Sequence, residues 1–170
     1  MKKTKKIAVT AIFIALYFVL SVILRIPIAG HIILDLGYIA LTVSAVYLGA
    51  ISTMFVGAIG VLLETALMSQ RGVSPGWIVM NIIVGYLCGL VMHKAADKGK
   101  KQLIISSLII VPISMFLGVA AKTWIDCVLY DLTLAVKLPT ALAAWIADSI
   151  VMLAFGLPLS IVLRKYKLKF

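Results

Sequence analysis

The chain has 170 residues, 64% of them hydrophobic and only 13% charged, with a net charge of +10 and a mean hydropathy of +1.18. A soluble domain of this size is nearer half apolar and a quarter charged, so the composition excludes a soluble enzyme and specifies one small polytopic membrane domain. The basic excess would suggest nucleic acid in a soluble chain, but here its placement reads as a topological signal and no nucleic-acid partner is expected.

Lys2, Lys3, Lys5 and Lys6 precede the first apolar run, residues 7–24, which Arg25 and Pro27 end. Its 18 residues and the lack of a small-x-small cleavage site read as a retained span rather than a signal peptide. Residues 36–50 form a second span, with Asp35 placed to cap it and Gly49 to end it. Fifteen residues rise only about 22 Å, short of the ~30 Å hydrocarbon core. That span must tilt little, thin the bilayer, or lie partly inside the protein.

Residues 51–68 follow almost without a loop as the third span. Ser74 then reads as an N-cap with Pro75 at the first helical position, opening a fourth span over 76–92. Residues 93–102 form a polar break carrying Lys94, Asp97, Lys98, Lys100 and Lys101. The fifth span, 103–121, contains Pro112 as an expected kink. A mixed segment, 122–138, follows, and Pro139 opens a sixth span over 139–163. The expectation is a single six-helix membrane domain, all-α, over residues 1–170.

Orientation follows from the basic residues. An even span count puts both termini and the 93–102 segment on one side, with 12 of the 16 Lys and Arg residues, against Arg25, Arg71, Lys122 and Lys137 on the other. The positive-inside rule makes the first side cytoplasmic. Segments 25–35, 69–75 and 122–138 then face outward.

Catalytic and metal motifs are missing. His31 and His93 fall on opposite faces, which leaves no histidine cage, and no G-x-S-x-G, H-E-x-x-H or P-loop occurs. Cys88 and Cys127 also lie near opposite faces, so no disulfide is expected between them. Asp126 and Asp131 are five apart and do not share a helical face. Small-residue strips stand out instead. Gly85-x-x-x-Gly89 in the fourth span reads as packing within the bundle. Ala11-x-x-x-Ala15, with Ala8 a turn earlier, fits a partner protein as well as self-packing.

The outward cluster is the informative one. Trp77 and Asn81 share a face of the fourth span, and Trp145 and Asp148 share one on the sixth. Glu64 sits in the outer half of the third span, and Lys122, Trp124, Asp126, Tyr130 and Asp131 come from the fifth-to-sixth connection. His31 belongs to the first outward segment. Charged side chains at membrane depth mark functional sites by default. Aromatic walls with a few polar anchors are the usual build of a small-molecule pocket. The plain alternative for Trp124 and Tyr130 is the interfacial aromatic belt. For Asp148 and Glu64 it is a structural pairing.

Three stretches carry a family resemblance: KKTKKIAVTAIFIAL at the start, DLGYIALTVSAVYLGAISTMFVGAIGVLLE, and SPGWIVMNIIVGYLCG. The chain resembles the substrate-binding S component of an energy-coupling factor (ECF) vitamin transporter, nearest the folate, hydroxymethylpyrimidine and pantothenate branch. It has Gly49-Ala50 where the family usually has Gly-Pro. The resemblance implies a six-helix fold in the bacterial plasma membrane and tight capture of a vitamin on the outer face. It implies a pocket built from helices four to six and closed by the loops after helices one and three. The substrate contacts it suggests are His31, Glu64, Trp77, Asn81, Lys122, Trp124, Asp126, Tyr130, Trp145 and Asp148. It also implies docking through Ala11 and Ala15 to a transmembrane coupling subunit carrying two cytoplasmic ATPases. No cofactor or catalysis is expected in this chain, since the partners hydrolyse the ATP. A competing reading is a self-sufficient proton-coupled transporter, with Asp148 and Glu64 as proton relays. No inverted repeat between the halves supports it.

Overall fold

The computed structural model describes residues 3–23, 26–29, 32–68 and 73–165, with the segments 26–29 and 32–34 described by their backbone. Six helices follow in order among these residues: α1 (Lys3–Ile23), α2 (Gly37–Leu48), α3 (Ala50–Met68), α4 (Pro75–Lys98), α5 (Lys100–Tyr130) and α6 (Leu134–Lys165). Five are long and apolar enough to cross a membrane, and α2 is the shorter exception. Helices are forced on such a chain because hydrocarbon offers no partner to an exposed N–H or C=O.

α2 resolves the question its length poses. At 12 residues it rises about 18 Å, and ten of its residues are buried, on every side of the helix. A helix that is apolar all round belongs inside a protein. It stands within the bundle, packed by α1, α3, α4 and α6, and needs no lipid match. Gly49, at φ +77°, makes the one-residue link to α3. A side chain there would meet the ring of His93, whose Nδ1 lies 2.9 Å from the Val46 carbonyl.

α1 behaves oppositely. Only Val9, Phe13, Tyr17 and Ser21 are buried, a stripe at spacing four, and the rest of the helix faces outward. α3 and α4 approach through glycines. A Cβ on Gly85 would stand 2.7 Å from the Thr53 carbonyl oxygen, and one on Gly89 2.7 Å from Ala50 Cα. The Gly85-x-x-x-Gly89 strip is therefore packing within the bundle.

Three sequence expectations change. The polar segment 93–102 is helical apart from its break at Gly99 (φ +118°), so α4 and α5 meet in a sharp turn rather than a loop. The mixed segment 122–138 is the last two turns of α5 and the first of α6, joined by Asp131 in the left-handed conformation and two further residues. Pro139 lies inside α6, which opens at Leu134. The reason is common to all three. A helix of 31 residues spans about 46 Å, well beyond the ~30 Å core, so its polar ends stand in the headgroup zone where charge carries little cost. Polarity marked the membrane boundary and not the end of the helix. The chain also has an element absent from the all-α expectation, a short antiparallel hairpin of β1 (Ile26–Ala29) and β2 (Ile32–Leu34).

α6 contains one irregular turn, Met152–Gly156, where the Leu157 N–H reaches back five residues to the Met152 carbonyl. It ends two residues before Pro158, whose missing N–H breaks the regular ladder. Gly156 there lies so close to α2 that a Cβ would be 2.6 Å from Thr42 Oγ1.

Candidate functional site

The helix ends bearing Lys3, Lys98, Lys100 and Lys165 share one end of the bundle. The candidate residues lie toward the other. They fall into three groups rather than one.

The first is a buried polar network centred on Tyr17 of α1. Its hydroxyl is directed at Asp35 Oδ2 and Asn81 Oδ1, each at 3.3 Å. Asn81, fully buried on α4, donates Nδ2–H to the Trp77 carbonyl at 3.0 Å. Asp35 Oδ1 accepts from Ser21 Oγ at 2.7 Å and from the Gly37 N–H at 2.8 Å, so it does fasten the start of α2, as its position before the helix suggests. Tyr38 meets Tyr17 edge to face, ring centres 6.1 Å apart, and its hydroxyl is buried beside Asn81 without a hydrogen bond of good geometry. Asp148, 3% exposed on α6, completes the set. Asp35 and Glu64 are its charged neighbours, and the described residues offer its carboxylate no hydrogen bond. Five elements thus converge polar side chains on one buried locus. Unfilled hydrogen-bonding capacity in such a place is costly, by about 1–3 kcal/mol per group, unless something else supplies the partner.

The second group ties the far ends of α4, α5 and α6. Asp126, buried on α5, accepts Lys122 Nζ at 2.8 Å and Lys137 Nζ at 3.3 Å, both on Oδ2. Its Oδ1 has no partner among the described residues. Lys122 also stands 4.6 Å from the centre of the Trp77 ring, a cation–π contact. Gly76 makes this approach possible, because a Cβ there would lie 2.6 Å from Asp126 Oδ1. Trp77 belongs to both groups: its carbonyl holds Asn81 and its ring carries Lys122.

The third group lies apart. Trp145 donates Nε1–H to the Pro112 carbonyl at 2.9 Å and meets Phe116 edge to face at 6.1 Å. With Trp124, Leu138 and Leu142 it lines an apolar hollow of about 420 Å³ between α5 and α6, whose rim is exposed on the flank of the bundle. Trp124 is 70% exposed and Tyr130 is also exposed, both in the manner of belt residues. The structure does not bring Trp124, Tyr130 or Trp145 to Asn81. Glu64 is half-buried and within electrostatic range of Tyr17, Tyr38 and Asp148. His31, Arg25 and Arg71 lie outside the described residues. Ala11 and Ala15 are exposed, with Ala8 beside them, on the side of α1 opposite its buried stripe.

Sequence reasoning missed Tyr17, Tyr38 and Lys137 as members of these groups. Tyr17 had a signal: it falls on the spacing-four stripe with Phe13 and Ser21, which puts its hydroxyl indoors. Lys137 had none, since its pairing depends on how α6 is rotated against α5.

No individual curated protein matches the chain. The family model described as "ECF-type riboflavin transporter, S component" matches residues 1–165. This agrees with the S-component resemblance, while the branch it describes is the riboflavin one and not the folate, hydroxymethylpyrimidine and pantothenate branch expected from the sequence. A match of that extent to a bundle of six helices, with a polar locus buried at one end, decides the assignment: the chain belongs to the ECF-type riboflavin transporter S component family.

Proposed function

We propose that this protein captures a flavin-type vitamin, riboflavin or a close analogue, at the outer face of the bacterial plasma membrane. It then delivers that vitamin inward as the substrate-specific subunit of an ATP-driven ECF importer. The observation that carries the reading is the buried locus of Tyr17, Tyr38, Asn81 and Asp148, joined through Trp77 to the Lys122–Asp126–Lys137 cluster. A flavin presents a flat ring with a donor–acceptor edge and a polyol chain whose hydroxyls both give and accept. Asn81 suits the edge, since an amide offers both kinds of group. The acceptor left open at Asp126 Oδ1 and the unpartnered Tyr38 hydroxyl suit ring N–H or chain hydroxyl groups. Trp77 suits contact with the ring plane. The chain supplies no catalysis in this scheme. Energy comes from a coupling subunit and two cytoplasmic ATPases, which dock on the bare strip of Ala11 and Ala15.

The test is mass spectrometry of small molecules retained by the detergent-solubilised protein, followed by titration of the emptied protein with riboflavin, read as quenching of flavin fluorescence. Stoichiometric riboflavin and tight quenching are expected. A different vitamin in the purified protein would overturn the flavin assignment and keep the capture role. Proton-driven uptake by vesicles containing this protein alone would overturn the importer-subunit role.

A further inference from the structure

A second hollow lies at the lysine-rich end, between the last turns of α4 and the first turns of α5. Its volume is about 280 Å³. Lys94 and Lys98 of α4 face Gln102 and Ser106 of α5 across it, over a floor of Leu90, Val91 and Ala95. Both lysines are exposed, and the ion pairs formed between described residues are those of Asp126 at the far end, so neither lysine is neutralised there. Gln102 donates toward Ser106 Oγ at 3.4 Å, which keeps the polar wall of α5 assembled. α5 follows Gly99, which offers it no side-chain cap, leaving first-turn N–H groups directed to the same end.

The positive-inside rule accounts for lysines at this end but not for their arrangement. Four lysines occupy the α4–α5 turn, yet only Lys94 and Lys98 line the hollow, one turn apart on a single helical face. That face continues up α4 through Leu90 to Tyr86, and the facing stripe of α5 continues from Ser106 to Ile109 and Ile113, all exposed beyond the hollow. A cationic mouth at the interface thus opens onto an apolar track running along the bundle toward mid-membrane. A soluble anion would use the mouth and leave the track empty.

We propose that this hollow is a site for an anionic phospholipid of the cytoplasmic leaflet. The lipid phosphate lies between Lys94, Lys98 and the Gln102–Ser106 pair, and one acyl chain lies along the α4–α5 track. Basic recesses between membrane helices on the cytoplasmic side suit anionic headgroups, with about 1 kcal/mol from each lysine near the surface. The inference rests on the orientation set by the basic residues and is independent of the vitamin bound at the other end. The occupant is recognised by its phosphate and its acyl chain together.

Native mass spectrometry of the full-length protein, with phosphatidylglycerol or phosphatidylcholine added at equal amounts, tests it. The wild type is expected to retain one phosphatidylglycerol in preference to phosphatidylcholine. K94Q/K98Q is expected to lose that preference by roughly 30-fold, about the factor two lysines supply. K100Q/K101Q, which removes the same charge from outside the hollow, is expected to change it by less than twofold. Equal loss in the two double variants would reduce the effect to diffuse surface charge and overturn the proposal. So would a thermal stabilisation by inorganic phosphate equal to that by the lipid. Lipid retention unchanged in K94Q/K98Q, with assembly onto the coupling subunit lost, would assign the lysines to an acidic protein partner instead. Riboflavin quenching in K94Q/K98Q serves as the folding check and is expected to match the wild type.

Discussion

Asn81 is the residue on which the candidate site turns. It is wholly buried, holds the first turn of α4 through the Trp77 carbonyl, and presents its amide oxygen to Tyr17. Asn81→Ala removes the donor–acceptor pair while leaving the Tyr17–Asp35 contact in place. The loss of hydrogen bonds to a ligand edge is worth about 1–3 kcal/mol, so affinity for riboflavin should fall roughly 5- to 150-fold. The midpoint of thermal unfolding in detergent should move little, because Tyr17 keeps Asp35 as a partner. Fluorescence titration beside a melting curve separates the two, and an unchanged affinity would remove Asn81 from the site. Half of this was readable in advance. The spacing of Trp77 and Asn81 puts them on one helical face in any fold. The approach of Tyr17, 64 positions away, was not, because nothing local encodes which helices become neighbours.

At the scale of elements, the bundle is fastened where side chains are smallest. α3 and α4 come into backbone contact at Gly85 and Gly89, and α5 fits closely on α4 at Gly118, where a Cβ would meet the side chains of Met80 and Val84 at 3.0 Å. Lipid tails are as apolar as the side chains, so close packing rather than hydrophobic exclusion holds such helices together. Gly89→Val would drive two Cγ atoms into the α3 backbone at Ala50, which cannot yield as a flexible side chain does. Overpacking of this kind costs about 1–3 kcal/mol. The expected result is a clearly lowered melting midpoint in detergent, against no change for Ala15→Val on the exposed face of α1. Equal midpoints would mean that the α3–α4 contact is looser than the geometry describes. The same scale explains the misplaced helix ends. Hydropathy reports depth in the membrane, and α4, α5 and α6 all run past the hydrocarbon into water.

For the whole molecule, the contrast between α1 and α2 sets the division of labour. α2 is enclosed by α1, α3, α4 and α6, while α1 keeps one narrow stripe indoors and leaves Ala8, Ala11 and Ala15 exposed. A strip of small residues with no other described residue of its chain upon it lets another helix approach closely. Ala11→Trp and Ala15→Trp place a bulky ring there, far from Asn81. Riboflavin binding by the isolated protein should persist, and ATP-dependent uptake with the coupling subunit and ATPases present should drop at least tenfold. Uptake at the wild-type level would place the docking surface elsewhere on the bundle.

The sequence by itself determined the membrane class, the helix number, the likeness to S components and which end carries the lysines. These depend on transfer energies that each segment experiences alone, residue by residue, in lipid. It also placed the candidate polar residues toward one end, because depth follows from position along a span. Only the tertiary structure decided how they group: Asn81 with Tyr17, Asp148 within electrostatic range of Tyr17, Asp126 with Lys122 and Lys137, and Trp145 turned aside to Pro112. That sorting depends on the rotation of each helix about its axis and on its offset along its neighbour. Both are fixed by glycine contacts and side-chain fit summed over the whole bundle, and no single segment contains them.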